Sequence, residues 1–218
     1  MRLFISCCLL LFLATACNTP KTAATTASDN TDGWISLFDG KSLTGWRASE
    51  NPATFSVEDK KLVAHGPRAH LFYEGPVMDH NFKDFEFKAQ VMTTPGSNSG
   101  IFFHTEYQEE GWPSKGYEVQ VNNSQSDWRR TGSLYSFDDV REVHMKDNEW
   151  YTQHIIVKDK TVTVKLNGKT VVEYTEPANV DRPEGERGRK LSSGTFAIQG
   201  HDPDSRVYYK DIMVKPLR

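Results

Sequence analysis

Between residues 84 and 93 the side chains alternate: Phe85, Phe87, Ala89 and Val91 fall on one side, Glu86, Lys88 and Gln90 on the other. An extended chain points successive side chains to opposite faces, so a period-two run requires a strand with one face buried. The same requirement recurs from Trp34 onward. Short alternating or β-branched runs are broken by Gly, Pro, Asn and Asp, and no long stretch carries the 3.6-residue period of an amphipathic helix. Val162, Val164 and Leu166 alternate, Asn167-Gly168 supplies the positive torsions of a type I′ turn, and residues 171–174 return as the second arm of a hairpin. Further strands are predicted at 35–38, 54–57, 61–64, 69–73, 99–104, 117–121, 133–136, 151–157, 195–199 and 207–214. At most a short helical turn is expected at 138–144, and residues 179–193, dense in Arg, Glu, Gly and Asp, read as a long exposed loop. So many strands joined by short turns imply an all-β sandwich of two packed antiparallel sheets.

The start of the chain speaks to location. Arg2 precedes an apolar run from Leu3 to Leu13, followed by Ala14, Thr15, Ala16 and then Cys17. This is the order of a secretory signal, and the run is too short to span a bilayer. Cys17 resembles the lipid-modified cysteine of bacterial lipoproteins, which predicts a signal peptide over 1–17, a membrane-anchored chain and a place in the cell envelope, facing the periplasm or the cell surface. Residues 18–33, rich in Thr, Ala, Ser and Asp, cannot bury a core and read as a flexible tether. Residues 34–218 then form one domain. All three cysteines, Cys7, Cys8 and Cys17, precede it, so it has no disulfide or zinc-thiolate site and depends on its core. A net charge of −3 gives no basic footprint for nucleic acid.

Three segments set polar side chains opposite core-facing neighbours. With Ile101 and Phe103 inward, Gly100, Phe102 and His104 share the other surface. With Tyr117, Val119 and Val121 inward, Glu118, Gln120 and Asn122 form a row. With Phe196 and Ile198 inward, Ala197, Gln199 and His201 face outward. A curved sheet lining up His, Glu, Gln and Asn suits a polyhydroxylated ligand. Sugar hydroxyls both donate and accept, and an apolar sugar face stacks on an aromatic such as Phe102 or Trp112. Asn98 belongs to the same surface.

These motifs, taken in order, resemble the 3-keto-disaccharide hydrolase family. The resemblance runs from Trp34-Ile35-Ser36-Leu37-Phe38-Asp39-Gly40 through Asn98-Ser99-Gly100-Ile101-Phe102-Phe103, Gly116-Tyr117-Glu118-Val119-Gln120-Val121, Thr131-Gly132-Ser133-Leu134-Tyr135 and Leu166-Asn167-Gly168 to Gln199-Gly200-His201. It implies a concanavalin A-like jelly-roll β-sandwich. His104 stands where Arg is common in the family, a departure that bears on substrate rather than on fold.

The resemblance also implies cleavage of glycosidic bonds in sugars already oxidised at carbon 3. Ordinary glycoside hydrolysis uses two facing carboxylates, whereas here amides flank one conspicuous acid. A 3-keto group acidifies the C2 proton, so one base can start a β-elimination that rehydration completes. On this reading Glu118 or His104 is the base, His201 and Gln120 steady the enediolate, and Tyr135 protonates the leaving group. Asn98, Asn122, Gln199, Phe102 and Trp112 bind the small oxidised carbohydrate. No cofactor is required by the sequence, and a divalent metal ion held by Glu118, His104 and His201 stays open. Two alternatives also stand: a non-catalytic carbohydrate-binding lipoprotein of lectin-like fold, and a conventional glycanase whose second acid is Glu106, Glu109, Glu110 or Asp127.

Overall fold

The computed structural model describes residues 32–217, so the expected signal peptide, Cys17 and most of the expected tether lie outside the described residues. Thirteen strands form two antiparallel sheets. They are β1 (Ile35–Ser36), β2 (Trp46–Ala48), β3 (Phe55–Glu58), β4 (Lys61–Ala64), β5 (Ala69–Tyr73), β6 (Phe85–Thr93), β7 (Ser99–Thr105), β8 (Tyr117–Val121), β9 (Tyr151–Lys158), β10 (Thr161–Leu166), β11 (Lys169–Thr175), β12 (Thr195–Gly200) and β13 (Val207–Pro216). One sheet runs β11-β10-β9-β6-β13-β4-β3 with β1 beside β13, and the other runs β2-β5-β12-β7-β8. This is the sandwich of two antiparallel sheets that the alternating pattern predicts, and the jelly roll that the family resemblance implies.

The core lies between the sheets. From the first come Phe85, Phe87, Val91, Ile155, Val157, Val162 and Val164; from the second come Ile101, Phe103, Tyr117, Val119, Phe196 and Ile198, all at most 1% exposed. Phe196 meets Phe82, Phe85 and Phe87 at ring-centroid distances of 4.7–4.8 Å, which ties β12 to the opposite sheet. Asn167 and Gly168 both have positive φ, 47° and 85°, as the predicted turn between β10 and β11 requires.

Two expectations give way. Residues 133–136 do not form a strand, because Leu134 makes only isolated bridges to Val119 and Asp138. No helical turn forms at 138–144; short 3-10 segments occur instead at Pro52–Thr54, Val77–His80 and Glu184–Glu186. The loop over 179–193 has no strand and no buried residue, as expected, and it is anchored by specific contacts. Arg182 donates to the Tyr117 hydroxyl at 3.0 Å, and the Leu191 amide donates to Glu176 at 2.8 Å. Those contacts draw the loop toward β8.

Candidate active site

Sheet register builds two rows across the face of the five-stranded sheet that points away from the core. Phe72, Ala197, Phe102 and Glu118 are successive cross-strand partners from β5 to β8. One step along, His70 pairs with Gln199, and Gly100 pairs with Gln120. Gly100 has to stay small, since a Cβ there would collide with the Glu118 carboxylate. Over these rows lies a cavity of about 290 Å³.

Glu118 forms the cavity floor and is 7% exposed. Burial pushes its carboxyl up to about 7, against the pull of Arg189 and of the hydrogen bond from Gln199, with Asp127 adding to the rise. Gln199 Nε2 donates to Glu118 Oε1 at 3.1 Å, and Gln120 Nε2 donates to Asn98 Oδ1 at 3.2 Å. Each of these amides gives one N–H to a neighbour. Their carbonyl oxygens, Oε1 of Gln120 and Oε1 of Gln199, are buried without partners among the described residues. A buried acceptor left unpaired is costly, and here two of them flank the buried acid.

The cavity walls carry the remaining polar groups. His201 bonds to Asp202 Oδ2 through Nδ1, which leaves Nε2 available to a ligand. Although burial opposes it, the hydrogen bonds from His201 and Ser205 hold the Asp202 carboxyl below its usual range. Tyr135 lines the cavity with its hydroxyl 3.5 Å from Asp127 Oδ2, and burial followed by the Asp127 charge raises its phenol. Phe102 and Trp112 supply the apolar wall, and Asn98 lines the same space.

Two expected residues lie elsewhere. His104 follows the alternation of β7 in sequence but not in space. Its φ is 54°, the β7–β12 register shifts beside it, and its ring turns toward Phe85 and Phe103 at 5.7 and 5.3 Å. Nε2 meets the Lys83 carbonyl at 2.8 Å and Nδ1 accepts from the Ser192 amide at 3.2 Å, so both ring nitrogens are occupied. Burial lowers its pKa, and with both nitrogens committed the ring bridges the Lys83 carbonyl and the Ser192 amide. Asn122 follows the last residue of β8 and turns into the next loop. It donates to the carbonyls of Asp127 and Arg129 and accepts from Gln125 and Arg130. With its amide fully used, it shapes the segment that carries Asp127 instead of meeting a ligand. Glu118, His104 and His201 therefore do not converge as a metal site, and no group of three His, Cys, Asp or Glu among the described residues does so.

Three residues join the site from outside the main reading. Asp127, one of the alternative second acids, lines the cavity, whereas Glu106 pairs with Lys115 and Glu109 accepts from Tyr107 away from it. Arg189 lines the cavity from the anchored loop and donates to the Tyr135 carbonyl at 3.1 Å; no periodicity marks it in the sequence. His70 lies at the end of the amide row, fully buried against Phe102 and Trp112. A polar residue inside the run Ala69-His70-Leu71-Phe72-Tyr73 was its only signal.

The family described as the 3-keto-alpha-glucoside-1,2-lyase-like domain matches residues 33–215. The chain belongs to this family. A relative from Bacteroides thetaiotaomicron, named 3-keto-disaccharide hydrolase, is 25% identical over 231 residues, covering 85% of this chain and 79% of the relative. A crystal structure from Parabacteroides distasonis, described as a candidate glycosyl hydrolase, superposes with a TM-score of 0.73 at 24% identity, covering 89% of this chain and 99% of that one. The carbohydrate-binding module CBM66 from Bacillus subtilis shares the fold at 9% identity, with a TM-score of 0.54 over 78% of this chain and 95% of the module.

Proposed function

We propose that the protein cleaves the glycosidic bond of 3-keto-glycosides, with Glu118 as the base. The observation that carries this reading is the buried carboxyl of Glu118, raised to about 7 and flanked by two amides with unpaired carbonyls. A base with its pKa near working pH is both deprotonated often enough and basic enough to take a carbon-bound proton. Family membership and the name of the Bacteroides thetaiotaomicron relative support the substrate class.

Glu118 takes the C2 proton, and the electron pair of that C–H bond moves toward the C3 carbonyl to give an enediolate. That charge is met by the guanidinium of Arg189 and by the ring of His201, which Asp202 orients through Nδ1. The pair then forms a C1–C2 double bond while the C1–O bond breaks, and Tyr135 protonates the departing oxygen. Water adds back at C1, C2 takes a proton from Glu118 once that carboxyl has exchanged with solvent, and the net result is hydrolysis. Phe102 and Trp112 hold the apolar face of the ring.

A second reading has one observation in its favour: Asp127 lines the same cavity as Glu118 and approaches the Tyr135 hydroxyl. Two carboxylates would serve an ordinary glycoside hydrolysis at C1. The test compares aglycone release from 4-nitrophenyl 3-keto-glucoside and its unoxidised parent. Elimination predicts release from the keto sugar alone, loss of at least about 100-fold in Glu118→Gln, and a milder loss in Asp127→Asn. Release from the unoxidised parent, lost equally in both variants, favours the two-carboxylate route. Binding without any release makes the protein a sugar-binding module. We also propose that lipid at Cys17 anchors the enzyme in the cell envelope; a Cys17→Ser variant that no longer partitions into detergent is the corresponding check.

A further inference from the structure

We propose that His70 and Gln199 form a saccharide subsite beneath Trp112 that takes two neighbouring hydroxyls of the sugar. This rests on the cavity taking a sugar, and it extends the site to a part of the floor that is now covered. His70 is 0% exposed, and neither Nδ1 nor Nε2 has a hydrogen-bond partner among the described residues. Register puts it directly beside Gln199, whose Oε1 is likewise buried and unpaired. Three unpaired polar atoms thus meet at one spot, among the rings of Phe72, Phe102 and Trp112, where leucine would pack without penalty.

The pattern of these atoms matches a diol. A neutral imidazole offers one donor and one acceptor, and the Gln199 carbonyl adds a second acceptor. Two adjacent sugar hydroxyls supply the complementary set, each able to donate and accept. Burial depresses the His70 pKa to about 3, against the pull of Glu50, so the ring stays neutral and keeps both functions.

The cover comes from a loop rather than from a strand of the sheet. Trp112 is 47% exposed and lies outside the strands, with its ring 5.5 Å from His70 and 5.6 Å from His201. Its segment is tied to the body by surface contacts: the Gly111 amide on Glu50 at 3.2 Å, the Arg68–Glu50 pair at 3.0 Å, and Arg68 lying 5.4 Å over the indole. A sugar arriving in the cavity replaces the contact between Trp112 and His70 with stacking on Trp112 and hydrogen bonds to His70.

The test uses the purified protein and His70→Leu, with 4-nitrophenyl 3-keto-glucoside as probe. Turnover is measured with Glu118 intact, and binding by tryptophan fluorescence on the Glu118→Gln background. The expected result is a rise of roughly tenfold in KM and Kd, kcat changed by less than about threefold, and a melting temperature equal to or above the wild type. KM and Kd within about twofold of wild type in a folded variant overturn the subsite. If His70→Leu does not fold, the wild-type protein decides: the ring-nitrogen resonances of His70 must shift on adding the probe, and unchanged resonances at saturation overturn it. Turnover that depends on Glu118 but not on His70 removes the subsite and leaves the proposed function standing. His70-dependent binding of unoxidised 4-nitrophenyl glucoside, without turnover of either sugar, keeps the subsite and removes the proposed function.

Discussion

Glu118 and His70 lie on the same sheet face and titrate in opposite senses. The folded carboxyl at about 7, against 4.5 in the unfolded chain, binds more protons folded than unfolded, so its contribution is present below 4.5 and lost as pH rises to 7. The folded imidazole at about 3, against 6.5, does the reverse, and its penalty grows as pH falls below 6.5. Glu118→Gln should therefore stabilise the protein by about 3 kcal/mol at pH 8 and by almost nothing at pH 4, while it abolishes turnover. His70→Leu should stabilise by about 2 kcal/mol more at pH 5 than at pH 8. Urea unfolding at those pH values checks both. His104→Ala, by contrast, leaves Lys83 and Ser192 without partners and should destabilise by about 1–3 kcal/mol, with kcat little changed; a large selective loss of kcat would restore it to the chemistry. Alternation alone located Glu118, Gln120 and Gln199. It failed at His104 because one positive φ at the register shift beside β12 turns the ring to the core, and at Asn122 because the strand ends one residue earlier.

Strands β5, β12, β7 and β8 set the site by register, so the two glycines near β7 and β8 test different things. At Gly116, with φ of 78°, a Cβ would collide with the Phe103 carbonyl, so Gly116→Ala should destabilise far more than Gly168→Ala, whose Cβ meets nothing within 4 Å and which bears only the positive-φ penalty of about 1 kcal/mol. Equal losses in thermal melts would contradict that. Gly100→Ala displaces the Glu118 carboxylate directly and should lower kcat by about 100-fold while the protein still folds. At this scale most of the fold was legible, because strands such as β6, β8 and β10 carry their own alternation. β2 was not: three residues between turns leave no period to read, and only pairing with β5 defines it. The reverse holds for residues 133–136, whose strand-like composition goes into isolated bridges.

The whole molecule brings together what the chain keeps far apart. The sandwich aligns β5, β8 and β12, and Glu176, Tyr117 and Arg182 anchor the loop that delivers Arg189 to the cavity. Neither Arg189 nor Asp127 lies on a strand, so sequence period could not place them; they depend on contacts between segments distant in the chain. Arg182→Ala should free this loop and weaken catalysis without unfolding the core, visible as lower kcat at an unchanged melting temperature. The central claim is that a C2 proton leaves during cleavage. Its most direct measurement is turnover of a 3-keto-glucoside in D₂O, with the released sugar read early by NMR against a no-enzyme control. Deuterium at C2 in step with aglycone release is the predicted result, and full release with protium retained at C2 would contradict it.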